Sequence, residues 1–121
     1  MIWSLVAVGS MAVASPAADA EHQVISKAVA SFEEHVSDPL KIRFRHVRLG
    51  KADMMGGQVS LVLCGEVAFD DPRLPAGWNR FFQINSNGNF RVGGSAGVVC
   101  NATKFANDRD LSARLKAAMG H

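Results

Sequence analysis

The sequence predicts an α+β fold: a single antiparallel sheet of three to five strands, with an N-terminal and a C-terminal helix packed on one face, after a signal peptide. Two segments carry apolar residues at helical spacing, and residues 58–69 alternate apolar and polar side chains as a strand does. The chain has 121 residues, 48% of them hydrophobic and 20% charged. Such a chain is long enough for one domain and too apolar to be disordered.

The first helix is predicted over residues 21–36, and Asp38-Pro39 ends it because the residue before a proline avoids the α region. Its apolar residues recur at helical spacing: Ile25, Ala28, Val29, Phe32 and Val36. The last helix is predicted over residues 109–119, with Asp108 as its N-cap. Both helices present one apolar stripe, so we expect both to pack on the sheet.

Four strands are predicted between the helices: 42–49, 58–69, 78–84 and 89–92. The odd spacing of Phe44 and Val47 predicts an irregularity in the first strand, and Asn87-Gly88 predicts a tight hairpin before the fourth. Residues 98–100 are expected to pair briefly as a further strand. The predicted core consists of Phe32, Phe44, Leu61, Leu63, Val67, Phe81 and Leu115.

The N-terminal segment is predicted to be a secretory signal peptide, residues 1–20, followed by a single small domain, residues 21–121. Ile2 to Ala14 form an apolar run, and Ala18-Asp19-Ala20 has the small-x-small pattern of a cleavage site. Cleavage after Ala14 is a second option, and an uncleaved anchor or a buried helix are the alternatives to cleavage. The predicted location is therefore the periplasm or the outside of the cell, with no transmembrane span after cleavage.

Cys64 and Cys100 are the only cysteines of the chain. Export to an oxidising compartment favours a disulfide bond between them. The alternative is two separate buried thiols that pack as small apolar groups. No Cys-x-x-Cys motif is present, so a catalytic cysteine is not expected.

A basic cluster and an aromatic pair are the candidate binding residues. Lys41, Arg43 and Arg45 alternate, so on a strand they project from one face, and Arg48 and Lys51 extend the cluster. Trp78 and Phe82, with Met54-Met55, are candidates for an apolar contact patch. The alternatives are a solvated basic sheet face and cover for the second face of the sheet.

Glu66 is expected to form an ion pair, with a role in chemistry as the alternative. It lies within a predicted strand beside Cys64, where a carboxylate either pairs with Arg43, Arg45 or Arg80 or serves as a general base with a raised pKa. The four histidines lack metal-ligand spacing, and no phosphate-binding glycine motif is found, so no metal, cofactor or catalytic residue is predicted. The net charge of +2 does not indicate specific nucleic-acid binding.

Residues 30–82 resemble a group of small exported proteobacterial proteins of uncharacterised function. The resemblance rests on Asp38-Pro39, on Phe44 and Val47, and on Cys64-Gly65-Glu66-Val67. The group's pattern continues with Asn where this chain has Ala68, and it has a small polar residue where this chain has Lys41-Ile42. The resemblance implies export and a compact α+β domain, and it implies no catalytic residue.

The preferred function is an exported, non-catalytic binding or interaction module. Its expected partner is an anionic envelope component or another exported protein. Two alternatives remain: a small hydrolase or isomerase that uses Glu66 with His46 or an arginine, and a purely structural envelope component. The enzyme hypothesis requires Glu66 and its partners to lie within hydrogen-bond reach of one another in a cleft.

Overall fold

The structure is a computed structural model, and it describes residues 16–105 and 108–119. It has the predicted α+β fold, with one antiparallel five-stranded sheet in the order β4-β3-β2-β1-β5. The strands are β1 (Ile42–Asp53), β2 (Val59–Phe69), β3 (Asn79–Ile84), β4 (Phe90–Val92) and β5 (Lys104–Phe105). The helices are α1 (Pro16–His35), α2 (Ala96–Ala102) and α3 (Ser112–Ala118), with short 3-10 turns at Pro39–Lys41 and Met55–Gly57.

Helix α1 begins at Pro16, five residues before the predicted start, and therefore contains the expected cleavage site at Ala20. Proline suits a first helical position because the amide hydrogen it lacks would have no partner inside the helix. The rest of the predicted signal peptide, residues 1–15, lies outside the described residues. Among the described residues, no helix is both long enough and apolar enough to cross a membrane.

The main core lies between the sheet and helices α1 and α3, as predicted. Phe32 of α1 is fully buried, and its ring centroid lies 4.9–5.1 Å from those of Phe44, Phe81 and Phe90, each in an edge-on arrangement. Five of the seven predicted core residues are fully buried: Phe32, Leu63, Val67, Phe81 and Leu115. Phe44 and Leu61 are only half-buried.

Strand β1 contains the irregularity predicted from the spacing of Phe44 and Val47. Arg45 lies opposite Glu66 and Arg48 lies opposite Cys64, so β1 advances three residues while β2 advances two. This is a β-bulge with one extra residue in β1. Because of it, Val47 is buried in the main core while Arg48 shares a face of the sheet with Arg45.

The segment before α3 and α3 itself shield the outer side of β1. The amide of Leu111 donates to the carbonyl of Val47 at 2.7 Å, and the amide of Val47 donates to Ser112 Oγ at 3.1 Å. Lys116 Nζ donates to the carbonyl of Ile42 at 2.6 Å. Helix α3 is shorter than predicted, and Asp108 is not its N-cap: Asp110 instead accepts a hydrogen bond from the Ser112 amide at 2.8 Å.

Residues 98–100 are helical, so the prediction of a brief strand there is wrong. They belong to α2, which packs on the face of the sheet opposite α1 and forms a second core cluster with Cys64, Phe82 and Ile84. A disulfide bond joins Cys64 of β2 to Cys100 of α2, with their Cα atoms 5.9 Å apart, as the sequence predicted. The bond fixes this seven-residue helix to the centre of the sheet.

Candidate functional site

The face of the sheet that α2 partly covers also carries a set of arginines. Strand register places their side chains on this face, because directly opposed residues of antiparallel strands point the same way. We call this the arginine face; it consists of Arg43, Arg45, Arg48, Arg80 and Arg91. The sequence predicted three of the five; Arg80 and Arg91 join them only through the pairing of β3 with β2 and β4.

Three consecutive residues of β2 support the β1 bulge. Cys64 bonds to Cys100, and Glu66 binds the two residues that precede Val47. Gly65 lies between them, where a Cβ would come within 2.7 Å of a methyl group of Val47 and 2.9 Å of its Cα. Only glycine therefore lets β1 approach so closely, and the Cys-Gly-Glu run has a separate physical reason at each position.

Glu66 is held by Arg45 and His46. Arg45 Nε donates to Glu66 Oε1 at 2.9 Å, and His46 Nδ1 lies 2.9 Å from the same oxygen. The hydrogen bond from Arg45, followed by that from His46, keeps the pKa of Glu66 below its usual range. Glu66 is therefore a carboxylate at neutral pH, in contrast to the raised pKa that general-base chemistry at Glu66 would require.

His46 is the only residue other than glycine with a positive φ in the described part of the chain, at 55°. A left-handed backbone is unfavourable for a residue with a Cβ and persists where the surroundings hold it. Here the bulge and the bond to Glu66 hold it, and the ring remains 70% exposed. Because Nδ1 contacts Glu66, Nε2 is the ring nitrogen directed to other partners.

Arg43 and Arg45 are already engaged by neighbouring groups. Arg43 pairs with Asp70 at 3.4 Å, and Arg45 pairs with Glu66. Both guanidinium groups also stack on Trp78, with their central carbons 5.4 Å and 4.2 Å from its ring centroid. Half-buried Trp78 thus serves as a platform for these arginines.

A cleft of about 470 Å³ opens on the arginine face between the β1 bulge and α2. Its floor is the Cys-Gly-Glu run of β2, and the disulfide forms part of its wall. We call it the cleft; its lining is His46, Arg48, Cys64, Gly65, Glu66, Arg80, Cys100, Asn101, Phe105, Asp108 and Asp110. It therefore contains guanidinium, imidazole and carboxylate groups beside an apolar wall.

Two guanidinium groups in the cleft are oriented mainly by neutral contacts. Arg80 donates to Asn101 Oδ1 at 3.1 Å, and its side chain runs beside Gly97, where a Cβ would lie 3.3 Å from one guanidinium nitrogen. Arg48 lies 4.3 Å from the ring centroid of Phe105, and its ion-pair partner, fully exposed Asp108, is 3.8 Å away. Within the described residues, no carboxylate lies within ion-pair distance of Arg80.

Of the predicted binding residues, Arg48 alone lines the cleft; the other basic residues of the predicted cluster and Trp78 lie outside its lining. Lys41 lies in the 3-10 turn before β1, so it is not part of the alternating strand pattern. Phe82 is 4% exposed in the second core cluster, where α2 covers it, so the prediction of a surface patch formed with Trp78 does not hold for this ring. Met54 packs against the same cluster, while Met55 is exposed.

Most of the polar side chains that line the cleft are charged. In the described part of the chain, no three His, Cys, Asp or Glu side chains come together as a metal site would require. Glu66 and His46 lie in a cleft within the hydrogen-bond distance that the enzyme hypothesis requires, although the pKa of Glu66 is lowered.

The chain matches no known protein-family model, no curated protein sequence and no solved structure.

Proposed function

We propose that this chain is an exported binding module that works in an oxidising compartment and docks through its arginine face onto a phosphate-bearing component of the cell envelope. The observation that carries the proposal is the orientation of Arg48 and Arg80 by neutral contacts on the same side of the sheet. Guanidinium groups that are positioned but not neutralised by close carboxylates are suited to bind phosphate, whose oxygens accept two parallel hydrogen bonds.

The ion pairs of Arg43 and Arg45 do not prevent docking. Arg43 and Asp70 are 58% and 56% exposed, and exposed ion pairs contribute about 0–1 kcal/mol, whereas Arg45 stays with half-buried Glu66. A membrane with many phosphates can therefore compete with Asp70 for Arg43. Because Trp78 stacks on both guanidinium groups, Arg43 remains on the arginine face when a phosphate replaces Asp70.

Export is the premise of this proposal. The disulfide between Cys64 and Cys100 supports it, because such bonds persist in oxidising compartments. Intact-mass analysis of native protein tests the premise. We expect a mass that lacks the signal peptide and no reaction of either cysteine with an alkylating agent. A retained N-terminal segment together with two alkylated thiols would contradict it.

Vesicle sedimentation tests the docking. We expect binding to vesicles that contain phosphatidylglycerol, no binding to pure phosphatidylcholine, and loss of binding as salt rises. The double variant Arg48→Gln/Arg80→Gln removes two charges from the arginine face, worth about 2 kcal/mol or roughly 30-fold in affinity. The matched control, Arg73→Gln/Lys51→Gln, removes two exposed charges elsewhere and should bind normally. Equal losses in the two double variants would refute docking through this face.

A second candidate function is catalytic and rests on the 2.9 Å contact between Glu66 and His46. With Glu66 ionised, His46 is the group that would exchange protons with a substrate, and Glu66 would position it. This function predicts turnover of a small ester that is lost in His46→Gln. Full retention of the turnover in that variant would exclude it.

A further inference from the structure

We infer that the cleft is a seat for a single phosphate group, which Arg48 and Arg80 grip from opposite sides while His46 contacts it from the bulge. The inference rests on the proposed function and names the chemical group that the arginine face recognises. The two arginines belong to β1 and β3, which flank β2. Strands two positions apart lie about 10 Å from each other, a gap that two arginine side chains can close on one tetrahedral anion.

The contacts of Arg80 leave most of its hydrogen-bond donors to a ligand. A guanidinium group has five N–H donors, and the described contact of Arg80 uses one nitrogen, to Asn101. Gly97 and Asn101 lie one helical turn apart on α2, so the side chain of Arg80 rests along that helix. The disulfide holds α2, and therefore Arg80, in position before any ligand arrives.

Arg48 is positioned mainly by stacking on Phe105 and only weakly by its ion pair with Asp108. Its guanidinium group stacks on Phe105, a contact that leaves the N–H groups in the guanidinium plane available. Asp108, 3.8 Å away, is beyond ordinary hydrogen-bond length and fully exposed. A phosphate in the cleft would therefore displace Asp108 from Arg48 at small cost.

The remaining carboxylates of the cleft have committed partners. Glu66 is bound by Arg45 and His46, which offset its charge. Asp110 accepts from the amide of Ser112 and remains at the start of α3. His46 completes the seat because Nδ1 donates to the Glu66 carboxylate, which leaves Nε2 to accept a hydrogen bond from a protonated phosphate oxygen. The cleft thus combines two oriented guanidinium groups with an imidazole, a set that fits phosphate better than a flat or apolar ligand.

Titration with inorganic phosphate, followed by amide NMR at constant ionic strength, tests this seat on the full chain with its disulfide intact. We expect saturable shifts in residues 46–48, 64–66 and 97–101. Arg80→Gln should weaken binding by about ten- to hundredfold, and Arg80→Lys by nearly as much, because lysine keeps the charge but not the forked geometry. Asp108→Asn should tighten binding, since it removes the carboxylate nearest Arg48.

Arg73→Gln is the matched control because it removes one exposed guanidinium outside the cleft. Circular dichroism verifies that each variant is folded. Equal weakening in Arg73→Gln and Arg80→Gln, or shifts that never saturate, would overturn the seat. A parallel titration with glycerol phosphate tests whether the seat also accepts the head group of a lipid.

The two proposals can fail separately. Vesicle binding that Arg48→Gln/Arg80→Gln weakens, with no phosphate shifts in the cleft, would overturn the seat while docking survives. Saturable phosphate binding in the cleft without vesicle binding would support the seat and refute docking to lipid.

Discussion

Breaking the bond between Cys64 and Cys100 is expected to lower the free energy of unfolding by about 4 kcal/mol. The two cysteines are 36 residues apart in the sequence. The chain-entropy relation for a loop of that length gives about 4 kcal/mol at 25 °C. For a domain of this size the loss corresponds to a fall in Tm of about 15–30 °C. Because the bond also fixes α2, we expect phosphate binding in the cleft to weaken with it.

Urea unfolding measured by circular dichroism gives the required comparison. The oxidised chain, the reduced chain and Cys64→Ala/Cys100→Ala are unfolded in parallel. The double variant is the control, since a reductant should leave its unfolding midpoint unchanged. If reduction frees both thiols, as alkylation would show, and the midpoint of the native chain does not move, the bond does not stabilise this fold through loop closure.

Three further predictions concern the core, the bulge and the contact between α1 and the segment around α3. Phe32→Ala should destabilise the fold by about 3–5 kcal/mol in urea, because it empties the centre of the aromatic cluster; a cost below about 1 kcal/mol would contradict that role. Gly65→Ala should cost about 1–3 kcal/mol, because the new methyl group meets the backbone of Val47; an unchanged midpoint would show that the bulge yields freely. Burial alone would raise the pKa of Glu21, but the hydrogen bonds and charges of Arg109 and Arg114 outweigh burial and lower it. The stabilisation by Glu21 is therefore present at neutral pH and lost as the pH falls through its depressed pKa, so Glu21→Gln should be less stable than the native chain at pH 7 and equally stable in strong acid. A difference that persists in strong acid would refute the ionic origin.

The regular parts of the fold were predictable because local pattern and tertiary environment agree there. In β2, Leu63 and Val67 face the main core under the two helices, and Glu66 lies on the opposite face of the sheet. The odd spacing of Phe44 and Val47 indicated the bulge, because two residues three apart in a regular strand cannot both face the core.

Helix α2 was not predicted because its residues have low helix propensity. Gly97 and the β-branched pair Val98-Val99 favour helix weakly. Tertiary contacts stabilise the helix instead: the disulfide at Cys100, and Thr103 Oγ1, which donates to the carbonyl of Val99 at 2.8 Å. Neither contact is visible in a local pattern.

The incomplete description of Phe82 and Arg80 follows from that one omission. Without α2, nothing in the sequence specifies what covers Phe82, so an exposed patch remained an option for this ring. Without α2, Arg80 also has no Asn101 to orient it, and the cleft lacks a wall. The contact between Glu66 and His46 was foreseen as an alternative because the two strands were expected to be neighbours. The sequence left open whether an arginine or a histidine binds Glu66, and the structure shows that the bulge brings both Arg45 and His46 to it.

The bulge absorbs the extra residue of β1 without turning either half of the strand over. Removing His46 alone would place Val47 directly after Arg45 and opposite Gly65, so regular alternation would return with both residues on the faces they already occupy. Removing a second residue at this point would instead turn one half of the strand over. A chain that lacks only His46 should therefore keep the fold and lose the contact between the imidazole and Glu66.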